Sequence, residues 1–115
     1  MDTEDLLPLP PPVFHILIAL ADGERHGYAI MRDVAERTEG RLRMSPGTLY
    51  GSIKRMLAQG LIEEVKQRPP ADEDDERRRY YRLTRPGRRA AEAEAARLQD
   101  LLKQARAHGL VPQRG

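Results

Sequence analysis

Four basic residues stand in a stretch of sequence that contains no acid. Residues 40–62 carry Arg41, Arg43, Lys54 and Arg55 but neither Asp nor Glu, although the whole chain has 20 Lys and Arg against 18 Asp and Glu. A segment of one charge sign is typical of a surface that meets an anion, and phosphate is the commonest large anion in a cell. The alternative interpretation of the same charges is a plain solvated helix face.

The other reactive side chains do not form a catalytic pattern. Glu63 and Glu64 alternate across a predicted strand, and the acids of residues 72–76 stand in a loop where no burial would tune a pKa. The sequence has neither a glycine-rich phosphate loop nor a recognisable Ser, His and acid signature. The histidines stand singly and there is no Cys, so a metal site is not expected. We therefore predict a protein that is not an enzyme and needs no cofactor.

Prolines and glycines divide the chain into helices that position the basic segment. The apolar run Val13–Ala21 predicts a short, buried, central helix. Residues 27–38 place apolar side chains at helical spacing and stop before Gly40, which predicts a second, amphipathic helix. His26 is expected to pack or cap at the start of that helix.

The third predicted helix carries the basic residues on one open face. Ser45 is a preferred N-cap residue, and Pro46 suits the first helical position, so the helix begins there and ends at Gly60. Leu49, Ile53, Met56 and Leu57 form an apolar stripe. The opposite face is small, hydroxylic and basic, with Tyr50 at its edge; it comprises Gly47, Thr48, Gly51, Lys54, Arg55 and Ala58.

Two strands and a long helix complete the chain. Leu61–Lys66 and Arg79–Thr84 have strand character and predict a hairpin with a long tip. Residues 86–108 are rich in strong helix formers. The predicted fold is therefore mainly α with a small β-hairpin, in the order of a winged helix-turn-helix whose third helix enters the major groove.

Four short strings in this order resemble the PadR family of bacterial transcriptional regulators. They are His26-Gly27-Tyr28, Pro46-Gly47-Thr48-Leu49-Tyr50, Gly60-Leu61-Ile62, and Tyr80-Tyr81-Arg82-Leu83-Thr84 before Pro86-Gly87. The similarity covers about residues 9–102, and the length resembles the short form of the family with a single C-terminal helix. The resemblance implies a homodimeric repressor that often regulates its own gene. Some family members are released from DNA by small molecules, so an effector, of unknown identity here, is one implication.

The charge pattern and the resemblance together predict which residues contact DNA. These are Tyr28, Ser45, Thr48, Tyr50, Lys54, Arg55, Arg77, Arg78 and Arg79. For Tyr50 the alternative is packing against the core, and for Tyr28 it is packing under the wing. The acids of residues 72–76 should be repelled by phosphate, which would restrain non-specific binding. The alternative is that they form a solvated tip.

A narrow apolar stripe follows the last helix and predicts a homodimer interface. Ala91, Ala95, Leu98, Leu102 and Ala105 recur at spacings of four and three residues, a pattern that packs helix on helix. The alternative is that the stripe folds back on its own domain. A second subunit is also expected because a chain of 115 residues with one Phe and no Trp buries little apolar surface alone.

These patterns predict four regions. They are a flexible segment at 1–8, a winged-helix domain at 9–85, a dimerisation helix at 86–109 and a flexible tail at 110–115. The acidic start and the short apolar runs predict neither a secretion signal nor a membrane span, and the lack of Cys suits a reducing cytoplasm.

Two functions are compatible with this organisation. The first is a cytoplasmic, homodimeric repressor that binds double-stranded DNA at an inverted-repeat operator. The second is a winged-helix protein-protein interaction module without specific DNA binding. Only the first needs a third helix with an open, acid-free face.

Overall fold

The computed structural model describes residues 2–65 and 79–112 of the chain. Within these ranges a 3-10 turn at Thr3–Leu6 precedes four α-helices and three β-strands. In chain order they are α1 (Pro11–Ala19), β1 (Arg25–His26), α2 (Gly27–Arg37), α3 (Pro46–Gln59), β2 (Ile62–Val65), β3 (Tyr80–Leu83) and α4 (Arg85–Ala107). The predicted helices and hairpin strands are confirmed to within a few residues at each end.

Side-chain caps explain where three of the helices begin. His26 Nδ1 accepts a hydrogen bond from the Ala29 N–H at 3.2 Å, as expected for a residue that caps α2. Ser45 Oγ accepts from the Thr48 N–H at 3.1 Å and caps α3. Thr84 caps α4 in the same way. Each cap satisfies a backbone N–H that has no partner inside its helix.

The apolar core is centred on α1, as its composition predicts. Ile16 and Leu17 have no exposed surface, and α1 contacts α2, α3 and α4. The other helices and the sheet also contribute apolar side chains to this core. The core side chains that they supply include Ile30, Val34, Leu49, Ile53, Met56, Leu61, Ile62, Tyr81 and Ala90.

The sheet contains one strand more than the predicted hairpin. Its order is β1-β3-β2, and both pairings are antiparallel. Arg25 pairs with Tyr81 and His26 with Tyr80. The His26 and Tyr80 rings also meet edge to face, with centroids 5.4 Å apart. Because β1 has only two residues, it shows no alternation of apolar and polar side chains that sequence analysis could detect.

Residues 3–7, which belong to the predicted flexible segment at 1–8, pack on the domain. Leu6 and Leu7 lie against the core, and the Thr3–Leu6 turn contacts α4. At the end of this segment the Leu9 N–H donates to the carboxylate of Glu94, which is 2% exposed. Arg97 donates two further hydrogen bonds to Glu94, at 3.0 and 2.8 Å. Apolar burial and one buried carboxylate thus hold the segment in place.

The end of α3 and the start of α4 meet in a tight joint. The Thr84 N–H donates to the Leu61 carbonyl at 3.1 Å, and Thr84 Oγ1 donates to the Gly60 carbonyl at 2.6 Å. Gly87, in the first turn of α4, lies so close to the Leu61 carbonyl that a Cβ at position 87 would overlap it. Gly60 itself closes α3 at a φ of 78°, a conformation that favours glycine.

Only the first half of α4 packs on its own domain. Gly87, Ala90 and Glu94 are buried, whereas no residue from Leu98 to Ala107 is buried. The second half of a helix about 35 Å long therefore extends past the core. Of the predicted tail at 110–115, only residues 110–112 are described; they belong to no helix or strand.

Candidate nucleic-acid interface

The third helix has the two faces that its sequence predicts. Leu49, Ile53 and Met56 are buried against the core. Leu57, expected in the same apolar stripe, is instead partly exposed, because it lies at the edge of the buried face. The outward face is exposed along the helix and comprises Gly47, Thr48, Tyr50, Gly51, Lys54, Arg55 and Ala58.

The basic side chains on this face are not neutralised by described acids. The ion pairs among the described residues involve other arginines, and none includes Lys54 or Arg55. Both side chains are exposed in the middle of α3. Their charge is therefore available to an anion at the surface.

The two hydroxyl residues at the start of α3 are bonded to each other. Ser45 Oγ accepts from the Thr48 N–H, as described above, and donates to Thr48 Oγ1 at 3.2 Å. Because Thr48 Oγ1 is the acceptor in that bond, its own proton is free to point outward. Thr48 thus offers a donor at the surface, while Ser45 serves mainly as the cap.

The two predicted tyrosines lie on the same side of the molecule. Tyr50 is half-exposed, and its ring and hydroxyl cover Gly27 at the start of α2. A Cβ at position 27 would stand 2.5 Å from the hydroxyl oxygen. Tyr28, the next residue of α2, is 64% exposed among the described residues, which do not include residues 66–78 of the wing. Tyr50 thus partly packs between two helices, whereas Tyr28 lies open.

The described part of the wing has paired charges. Arg79 lies 3.7 Å from Glu64, and Arg82 lies 2.7 Å from Glu63 across the β2-β3 pairing. Tyr81 lies between the two arginines in the sequence. Burial is the main cause that raises the pKa of its phenol, and the negative charge of Glu64 raises this pKa further. The other two predicted wing contacts, Arg77 and Arg78, lie outside the described residues, as do the acids of residues 72–76.

Two arginines that are not among the predicted DNA contacts lie near α3 in the fold. Arg32 follows Tyr28 by one helical turn, and Arg43 precedes the Ser45 cap by two residues. Both are exposed and line one groove with Tyr28 and Met31. The i,i+4 spacing of Tyr28 and Arg32 was a usable signal. The approach of Arg43 to α2 depends on the loop and could not be predicted.

The predicted dimerisation stripe is divided by the fold. Ala91 packs on the core of its own domain, and Ala95 lines a groove beside Phe14 and Leu17. Ala91 thus lies against its own domain, as the alternative of folding back expects, whereas Ala95 is exposed. Leu98 and Leu102 are exposed, at 38% and 46%, and Ala105 is half-buried. Leu101, absent from the predicted stripe, is 52% exposed beside them.

The described residues hold no cluster of three or more His, Asp or Glu side chains that would bind a metal ion.

His15 Nδ1 is buried and has no hydrogen-bond partner among the described residues. Burial lowers the pKa of His15, and the nearby Arg37 lowers it further.

No described helix is both long and apolar enough to cross a bilayer.

Comparison with known proteins agrees with this architecture. The sequence matches the family described as "Transcriptional regulator PadR-like family" over residues 16–93. It is 36% identical over 90 residues to "Transcriptional regulator Rv3488" of Mycobacterium tuberculosis, with 78% of each chain aligned. It is also 40% identical over 80 residues to an uncharacterized 37.1 kDa protein in transposon TN4556 of Streptomyces fradiae; that alignment covers 70% of this chain but only 21% of that protein.

Solved structures share the fold. A PadR family transcription regulator from Clostridium difficile R20291 superposes with a TM-score of 0.74 at 25% identity, covering 86% of this chain and 98% of that one. Bacillus subtilis PadR in complex with operator DNA superposes with a TM-score of 0.61 at 20% identity, covering 73% and 46%. The family consists of transcriptional regulators, which confirms the prediction that the chain is not an enzyme. The chain belongs to the PadR-like family of transcriptional regulators.

Proposed function

We propose that the protein is a homodimeric repressor that binds a specific inverted-repeat sequence in duplex DNA and acts in the cytoplasm. In this proposal α3 lies in the major groove, and the wing reaches the flanking backbone. The observation that carries it is the outward face of α3, which is exposed and basic and has no described acid pairing with its charges.

The shape of α3 suits the major groove. A helix with its side chains is about 10–12 Å across, and the groove is about 12 Å wide. Gly47, Gly51 and Ala58 add little bulk to the outward face, so the helix can approach the base edges closely. Thr48, Lys54 and Arg55 then supply the donors that base edges and phosphates accept. A structural neighbour, Bacillus subtilis PadR, was solved with operator DNA bound to this fold.

The proposed dimer uses the second half of α4. At about 100° per residue, Leu98 and Leu101 lie within about 80° of Ala90 and Glu94, which are buried by the domain itself, and Leu102 lies about 40° beyond Leu98. This apolar side continues beyond the edge of the domain without a described cover. A second copy can supply one, because two such helices are self-complementary about a two-fold axis.

Two recognition helices related by a two-fold axis predict the form of the operator. The half-sites should be inverted and about one helical turn apart. Repression follows if this operator overlaps a promoter. The chain's own upstream DNA is the first sequence to test, because the resemblance implies regulation of its own gene.

The test is footprinting of that upstream DNA, followed by competition with random duplex at about 150 mM salt. We expect protection of an inverted repeat that survives excess random duplex. Protection no better than on random DNA would overturn specific recognition. If selection from a random library also returned no preferred sequence, the protein would be better described as an interaction module.

A further inference from the structure

A groove beside the start of α3 carries two arginines that the proposed contacts leave unused. We call it the α2 groove; it has a volume of about 290 Å³ and is lined by Tyr28, Met31, Arg32, Ala35, Arg43 and Met44. Its floor is apolar, and its two cations come from α2 and from the loop that enters α3. The Arg43 guanidinium lies beside Gly40, so the groove runs along α2 from Tyr28 toward the end of that helix.

The two arginines differ from their neighbours in having no described acid partner. Asp33 pairs with Arg37 at 2.7 Å and lies 3.9 Å from Arg25. Arg37 and Arg25 also donate to backbone carbonyls of α1. These contacts tie α1, β1 and α2 together. Neither Arg32 nor Arg43 makes such a contact among the described residues, so both guanidinium groups keep their charge and their donors.

The position of the groove indicates what it binds. Arg43 stands two residues before the N-cap of α3, and Tyr28 and Arg32 lie one turn apart on the exposed side of α2. With α3 in the major groove, the first helix of a helix-turn-helix crosses the sugar-phosphate backbone that borders it. A guanidinium group binds phosphate through two parallel hydrogen bonds, and an apolar floor can pack against deoxyribose carbons.

We propose that the α2 groove holds the sugar-phosphate backbone of one DNA strand, with Arg32 and Arg43 as its phosphate-binding residues. This inference rests on the proposed function and adds two contacts to it. They set the position of the protein on the duplex and do not read its sequence, because phosphates are the same at every base pair.

The test measures the affinity of the full chain for two short duplexes at several salt concentrations. One duplex is selected from a random library with the parental protein, and the other is a scrambled version of it. Arg32→Gln and Arg43→Gln should each weaken binding to both duplexes equally, by about tenfold. Each should also flatten the slope of log affinity against log salt by about one unit.

Two controls separate a phosphate contact from other effects. Arg106→Gln removes the same charge from the exposed second half of α4 and should leave the slope unchanged. Arg32→Lys keeps the charge and should restore most of the slope, whatever its effect on affinity. Circular dichroism shows whether each variant is folded.

The outcomes distinguish this inference from the proposed function. If the parent binds the selected duplex and both Gln variants bind like the parent, the α2 groove does not hold phosphate, and the proposed function stands. If the variants lose affinity only for the selected duplex, the arginines read bases and the inference is wrong. If the parent prefers no duplex at all, the proposed function itself fails.

Discussion

Lys54 and Arg55 are adjacent in α3, yet their side chains point about 100° apart around the helix. Both are exposed and neither pairs with a described acid. With α3 in the major groove, one of them is expected to point toward the base edges and the other toward the phosphates at the rim. Sequence position alone does not separate the two roles.

Alanine variants should separate them. Loss of a base contact is expected to cost about 1–3 kcal/mol on the operator and to relax the preference at one base pair. Loss of a phosphate contact should weaken all duplexes alike and flatten the salt slope by about one unit. Titrations of Lys54→Ala and Arg55→Ala against operator and random DNA measure both quantities. Parental affinity in both folded variants would show that α3 is not the recognition helix.

Glu94 is the buried charge of the described core. The two hydrogen bonds from Arg97 are the main reason that the pKa of the Glu94 carboxyl lies below its usual range. Burial opposes this shift, and the Leu9 N–H supports it. Because the folded state holds the carboxylate more tightly than the unfolded state does, Glu94 stabilises the fold above the unfolded-state pKa of about 4.3. That contribution is lost as pH falls through the lower pKa of the folded state.

Glu94→Gln should therefore change both the stability and its pH dependence. Near pH 7 the variant should lose about 1.5–3 kcal/mol of unfolding free energy, because an amide replaces a charge-assisted acceptor. Below about pH 4 the difference should narrow, since the parental carboxylate becomes protonated. Urea titrations at fixed protein concentration, repeated between pH 7 and pH 3, measure this. A difference that does not change with pH would contradict the role of the charge.

At the scale of elements, α3, the sheet and α4 are joined where Leu61 meets Thr84 and Gly87. The backbone and hydroxyl of Thr84 bond to the two residues that follow α3. Gly87 allows the first turn of α4 to touch the Leu61 carbonyl. The orientation of α4 relative to α3 is therefore fixed by backbone contact.

A pair of glycine variants tests this joint. Gly87→Ala should destabilise the fold by about 1–3 kcal/mol, because the new Cβ overlaps a backbone oxygen that cannot move aside alone. Gly51→Ala is the matched control, since a Cβ at position 51 meets open space. It should stabilise α3 by about 0.5–1 kcal/mol. Thermal unfolding measures both, and equal effects of the two substitutions would contradict the close approach at Gly87.

The elements that could be predicted from sequence are those whose signals are local. Ser45 with Pro46 marks the start of α3, and Gly60 marks its end, because capping involves residues within one turn. β1 could not be predicted, since its pairing partner Tyr81 is far along the chain. The bond from Leu9 to Glu94, 85 residues apart, and the approach of Arg43 to α2 have no local signal either.

At the scale of the whole molecule, the described residues extend 55 Å along the longest axis and 23 Å along the shortest. The second half of α4 accounts for part of this elongation, since none of its residues is buried. Three leucines on one side of that half remain exposed. In the proposed dimer they are the surface that the second subunit covers.

Two acidic substitutions in this half should separate the subunits. Leu98→Glu with Leu102→Glu places charges in the proposed interface and should give monomers that bind DNA weakly, because one half-site supplies few contacts. Glu is a strong helix former, so α4 should persist. Ala96→Glu with Gln99→Glu adds the same charge on the other side of the helix and should remain dimeric. Light scattering measures both; a dimer of full strength in the Leu98 and Leu102 variant would refute this interface.

The joint between α3 and α4 also has a mechanical consequence for the proposed dimer. Because backbone hydrogen bonds and the Gly87 contact hold the two helices at this joint, we expect α3 and α4 to move together. If the two helices rotate together by about 5°, the far end of a helix about 35 Å long moves by about 3 Å. Conversely, a small change in how two α4 helices cross changes the separation of the two α3 helices. In the proposed dimer, the spacing between half-sites is therefore expected to depend on the angle at which the two α4 helices cross.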